Sequence, residues 1–227
     1  MTSTFMDEYN NEESLGKNNG LQAQLLLGAS PSHYGTVLKL HIPTAYSLLP
    51  DFLQKRVSAE SYISYIIAPT WKERELILCG SYLYRFLTLS SRSPKGTPIA
   101  LKGVSARIID SEDDDIDGDG LEAIMENLPP GVNAIFALSS FGKSRYFAVA
   151  TREEAVTWVN SIREARQESI TRSMGHSKMP YPKSWNYFDR VAATLIKKKE
   201  RMQLRNRQSI NTEFENASIG GALRPIY

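Results

Sequence analysis

The residues whose types and spacing could do chemistry are, first, cations at alternate positions. Lys72 and Arg74 precede Leu76 and Leu78 at a spacing of two. Side chains alternate between faces along an extended segment, so these four share one face. The leucines are expected to enter the core, and the cations to continue the same face out to an open mouth. Glu73 falls on the opposite face. The same parity in the next extended segment places Leu83 inward and Arg85 beside the mouth. A guanidinium there offers a planar fork of donors suited to a phosphate. Basic residues also end strands simply because solvated ends are cheap, and alternation does not separate the two readings.

Acids and nucleophiles offer less. Asp113, Asp115 and Asp117 with Gly118 copy the first half of an EF-hand loop. Position twelve would be Ile124, where a bidentate glutamate is required, so the acidic run from Asp110 to Glu126 is expected to be a solvated loop without metal. His33, His41 and His176 are the only histidines, and Cys79 is the only cysteine, with no activating base near it in sequence. There is no nucleophile elbow, phosphate loop or dinucleotide fingerprint. No catalytic residue and no cofactor is expected, and the chain is read as a binding module.

Composition sets the frame for these residues. The chain has 227 residues, 41% of them hydrophobic and 23% charged, which suits one packed soluble domain with flanking segments. A single cysteine excludes an intramolecular disulfide and fits a reducing compartment. No apolar run reaches membrane-spanning length, and the N-terminus lacks the apolar core of a signal peptide. Residues 1–28 are expected to be a disordered polar flank, although Gln22 to Leu27 also suits a short helix or strand lead-in.

The middle reads as strands. Tyr34 to Leu40 is β-compatible. Glu73 to Leu78 and Ser81 to Leu87 flank Cys79 and Gly80, a hairpin signal. Ile99 to Ile109 alternates, with a kink expected at Gly103. Ala134 to Leu138 and Arg145 to Ala150 flank a second glycine-bearing turn. The period then changes. Thr151 and Glu154 form a capping-box pattern, and Ala155, Trp158, Val159 and Ile162 fall on one helical stripe. A lone amphipathic helix must bury that stripe, and the open end of a curled sheet is the economical place.

Taken in order, these segments resemble the pleckstrin-homology family. Gly35 to Lys39 resembles its first strand, and Trp71 to Leu78 its second, with a tryptophan, basic residues and an apolar run. Ser81 to Phe86 resembles the third strand, and Pro94 to Leu101 the loop into the fourth. Phe136, Leu138, Tyr146, Phe147, Val149 and Ala150 resemble the last hairpin, and Glu154 with Trp158 and Val159 the closing helix. The resemblance covers about residues 33–168. It implies a mostly β fold: a bent, seven-stranded antiparallel barrel capped by one helix, here placed at 29–170. One departure stands out. His41 to Thr70 separates the first two strands, where the family has a short loop, and this apolar insertion (41–70) is expected to be partly helical.

The resemblance also implies a site. Relatives that bind phosphoinositides use a lysine ending the first strand, then a basic residue and an arginine two apart in the second. Lys39, Lys72 and Arg74 match that pattern, and Arg85 is the fourth candidate. A doubly phosphorylated headgroup needs several fixed cations, because each phosphomonoester carries between one and two negative charges near neutrality. The expected function is a phosphoinositide-binding, peripheral membrane adaptor in the cytoplasm. The alternative is a scaffold of the same fold that binds proteins, with the insertion and the C-terminal helix as contact surfaces and little or no specific lipid binding.

The extension at 171–227 is basic and expected to be partly helical. Trp185, Phe188, Ala192, Leu195 and Met202 lie roughly on one stripe, followed by Lys197, Lys198, Lys199 and Arg201. Such a helix docks on the domain or on a partner, or lies on an anionic bilayer through those four cations. Nothing in it reads nucleic-acid bases.

Overall fold

The computed structural model describes residues 20–42, 69–109, 128–140, 143–178 and 180–220, with side chains of the last helix described to residue 205. The insertion between residues 43 and 68, the acidic run at 110–127 and the N-terminal residues 1–19 lie outside the described residues.

Seven strands form one antiparallel sheet: β1 (His33–His41), β2 (Thr70–Cys79), β3 (Tyr82–Phe86), β4 (Ile99–Ala100), β5 (Ser105–Ile109), β6 (Ala134–Ser140) and β7 (Lys143–Val149). Their order is β4-β3-β2-β1-β7-β6-β5. The β2–β3 hairpin turns on Gly80 and Ser81, and Gly80 takes a φ of 61°, which a two-residue hairpin accepts most easily from glycine.

The run Ile99 to Ile109 is not one kinked strand. A 3-10 turn at Leu101–Gly103 divides it, and its two halves join opposite edges of the sheet. That division dictates the shape. Ala100 and Ser105 are five residues apart, a reach of at most ~19 Å, whereas the edges of a flat seven-stranded sheet stand ~29 Å apart. The sheet must therefore curl until its edges approach.

Helix α2 (Arg152–Ser173) closes the inner face. The threonine half of its capping box is made, with the Glu154 amide donating to Thr151 Oγ1 at 3.2 Å. Its stripe, Ala155, Trp158, Val159 and Ile162, packs on Val37, Leu76, Leu78, Leu83, Phe136 and Phe147. Trp158 is fully buried, with His33 edge-on at 4.2 Å between ring centroids and Phe136 stacked at 6.1 Å.

The outer face of β2 and β3 is covered as well. Helix α1 (Ala23–Gly28) and helix α3 (Lys183–Gly220) pack on Ile77, Cys79, Tyr84 and Phe86 through Leu26, Phe188 and Ala192, together with Leu21 just ahead of α1. Trp185 Nε1 donates to the Ala29 carbonyl at 2.8 Å. This corrects the expected flank: residues 21–28 are not disordered, since Leu21, Ala23 and Leu26 are fully buried, and of the two local readings of Gln22 to Leu27 the short helix is the one that forms. It also settles where the C-terminal stripe goes. The stripe docks on the domain from Trp185 to Leu195, whereas Met202 is 57% exposed and takes no part.

Candidate anion-binding site

The core-facing parity of four adjacent strands brings the cations together. Val37 lies in the inner core, so Lys39, two residues on, continues its face to the end of β1. Lys72 pairs directly with Lys39 across β1 and β2. Arg74 follows on the same face of β2, ahead of Leu76 and Leu78. Arg85 stands opposite Leu76 in β3, diagonal to Arg74.

A fifth cation joins them. Phe147 is the partner of Lys39 on β7 and points into the inner core, so Arg145, two residues before it, shares that face. The sequence reading did not include Arg145. Counting back by two from Phe147 and Val149 was the signal that would have found it.

The electrostatics follow from the same grouping. Like charges directly opposite in a sheet are destabilising, and Lys39 with Lys72 is such a pair. Burial lowers the Lys39 ammonium to about 8, with further contributions from Arg85, Arg145, Arg74 and Lys72. Burial likewise lowers Arg85 to about 10, reinforced by Arg145 and Arg74. His41 at the end of β1 is pushed down by desolvation and then by Lys72, Lys39 and Arg74.

The polar partners of these cations are sparse. Lys39 Nζ donates to its neighbour's carbonyl, Leu40 O, at 3.0 Å, and Arg74 Nη1 to the Glu73 carbonyl. Arg85 Nε is buried with no hydrogen-bond partner among the described residues. Gly96 of the β3–β4 loop lies over its guanidinium; a Cβ there would stand 3.1 Å from Arg85 Nη2. Among the described residues no carboxylate stands within ion-pair distance of any of the five; Arg172 pairs with Glu168 on α2. Glu75 is engaged on the outer side, accepting from Thr36 Oγ1 at 3.1 Å.

The four C-terminal cations divide between two surfaces. Lys197, Lys198 and Arg201 line one exposed face of α3 with Thr194, Met202 and Arg205. Lys199 points elsewhere, and its Nζ donates to Thr97 Oγ1 on the β3–β4 loop at 2.9 Å.

Cys79 is fully buried and its thiol is pushed up by burial and by Asp189, the reverse of a nucleophile's environment. Among the described residues there is no group of histidine, cysteine and acidic side chains placed to hold a metal, and no helix long and apolar enough to cross a membrane.

No protein-family model matches the chain, and no curated protein matches it. Among solved structures, the chain is similar to the C-terminal PH domain of human pleckstrin, with 18% identity and a TM-score of 0.35 over 61% of this chain and 90% of that one. It is also similar to the PH domain of human TBC1 domain family member 2, with 16% identity and a TM-score of 0.36 over 66% and 88%. The fold itself rests on the strand order and on the tryptophan helix that closes the curled sheet. Seven antiparallel strands in that order, capped by that helix, give this chain the pleckstrin-homology fold.

Proposed function

We propose that the domain binds phosphorylated inositol lipids and is a peripheral membrane adaptor. One observation carries this reading. Lys39, Lys72, Arg74 and Arg85, with Arg145, face one another at the end of the sheet, and their mutual repulsion is relieved by no described carboxylate. Such an arrangement opposes folding unless something anionic offsets it, and a headgroup with two phosphomonoesters supplies that charge. The arginines contribute forked donors and the lysines compact charge.

The exposed face of α3 adds a second contact with the membrane. Lys197, Lys198 and Arg201 lie beside Met202, and Leu204 follows on the same helix; both apolar side chains are 57% exposed. Basic residues near an anionic surface are worth roughly 1 kcal/mol each, and exposed apolar side chains between them can enter the headgroup layer.

Co-sedimentation with phosphatidylcholine vesicles, with and without phosphorylated inositides, tests the reading. Wild type is expected to pellet only with the inositide vesicles, and Lys72→Ala/Arg74→Ala to stay in solution. Equal pelleting of the two proteins would exclude this site. Loss of inositide dependence with retained capture of protein partners would favour the scaffold reading.

A further inference from the structure

A cleft of about 670 Å³ lies between α3 and the barrel rim, and neither Lys39 nor Lys72 lines it. Its walls come from the β3–β4 loop, the 3-10 turn after β4, the β6–β7 hairpin and α3. The cations among its lining residues are Lys102, Arg145 and Lys199, and Glu200 is the one carboxylate, leaving an excess of two positive charges. The volume lies within the range of sites for small ligands.

Two contacts tie this cleft to the cation cluster. Arg145 lines the cleft and is also close enough to depress Lys39 and Arg85. Residues 96 and 97 of the β3–β4 loop meet both sides: Gly96 lies against the Arg85 guanidinium, and Thr97 accepts from Lys199. Lys199 thus spends its described hydrogen bond on a neutral hydroxyl, and no described carboxylate stands within ion-pair distance of it. The helix that carries it is fixed, because Phe188 and Ala192 are fully buried against β2 and β3. A cation on a docked helix loses less freedom on binding than one on a free tail.

We propose that Lys102, Arg145 and Lys199 form a second anion subsite, built jointly by the barrel rim and the C-terminal helix, which takes a phosphate ester. Arg145 lies between this subsite and the first, so one polyphosphorylated ligand can engage both. The proposal deepens the headgroup reading and shares Arg145 with it, but Lys102 and Lys199 belong to this subsite alone. The phosphate ester can come from an inositol lipid or from a soluble inositol polyphosphate.

The experiment uses the full chain with two probes: inositol hexakisphosphate by titration calorimetry, and phosphatidylcholine vesicles carrying a phosphatidylinositol bisphosphate. Lys102→Gln/Lys199→Gln is expected to weaken binding by roughly fivefold for each lysine. Lys199→Arg is expected to retain it. Lys178→Gln/Lys183→Gln removes the same charge away from the cleft and is expected to leave hexakisphosphate affinity within about twofold, as solvent screening predicts for exposed charges outside the site. All these lysines are exposed, so the variants should fold.

A loss confined to the vesicle probe identifies the lipid as the source; a loss with the soluble probe identifies a free polyphosphate. Wild-type affinity in Lys102→Gln/Lys199→Gln overturns the subsite, whatever Lys72→Ala/Arg74→Ala does. Equal loss of hexakisphosphate binding in the two lysine pairs also overturns it, because the effect would then be net charge. Should Lys72→Ala/Arg74→Ala bind like wild type while Lys102→Gln/Lys199→Gln does not, the headgroup site fails and the second subsite stands alone.

Discussion

Among the described residues, the α3 seam and the barrel mouth both hold ionisable side chains away from water, and they resolve that cost in opposite ways. In the seam between α3 and the β2–β3 hairpin, Asp189 is half-buried and fully partnered. Its carboxylate accepts from the Ser81 amide at 3.1 Å and from the Tyr181 hydroxyl at 2.5 Å. Burial raises its pKa, and those hydrogen bonds pull it back only in part. The surroundings are built around the group: a Cβ on Gly80 would stand 2.5 Å from Asp189 Oδ1 and from the Tyr181 hydroxyl. At the mouth of the barrel, Lys39 and Arg85 are also half-buried, but the charges that shift them are all cations. A satisfied buried charge fastens one element to another. A cluster of unsatisfied like charges leaves stability unused and offers it to a ligand.

Single substitutions should therefore act with opposite sign in the two places. The largest effect is expected in the seam. Asp189→Ala leaves the Ser81 amide and the Tyr181 hydroxyl without their acceptor, which costs about 1–3 kcal/mol. A lower midpoint in guanidinium unfolding, with unchanged inositide affinity of the folded protein, is the expected result. No change in midpoint would mean that the hydrogen bonds do not hold α3 down. Arg85→Leu comes next and runs the other way. It removes a buried guanidinium that has repulsive neighbours and an unpartnered Nε, so the ligand-free protein should gain about 1 kcal/mol while headgroup affinity falls. A variant both less stable and equally able to bind would make Arg85 a structural residue like Asp189.

The contrast also shows which parts were legible in the sequence. The mouth was largely readable, because it depends on the strand period alone. Leu76 and Leu78 fix the face on which Lys72 and Arg74 lie, and Leu83 does the same for Arg85. Arg145 obeys that rule too and escaped only because the count was not carried back from Phe147. The helix that closes the inner face was readable from its cap and its stripe. The seam was not, because Ser81 and Asp189 are 108 residues apart and no local pattern pairs them. Helix α1 spans six residues, too few to display a stripe, so the burial of Ala23 and Leu26, and of Leu21 ahead of it, left no periodic trace. Ile99 to Ile109 read as one strand because Leu101 and Val104 keep apolar residues running through the 3-10 turn, and both are buried there.

The smallest expected effect is a pH dependence that separates an empty mouth from a filled one. Lys39 has a folded-state pKa of about 8 against an ordinary 10.5. The unfolded chain therefore binds more protons between those values, and stability should rise as pH climbs from about 8 towards 10.5. Lys39→Gln should flatten that slope. A bound phosphate reverses the preference, because it favours the charged ammonium, so headgroup affinity should decline as pH rises above about 8. On the acid side the ligand sets the limit, since a phosphomonoester gains its second charge near a pKa of about 6. Affinity measured across this range should thus peak between the two and change only a few-fold, because Lys39 is part-exposed and screened. An affinity that stays level through pH 8 to 9 in wild type, matching Lys39→Gln, would remove Lys39 from the site and leave the arginines to hold the anion.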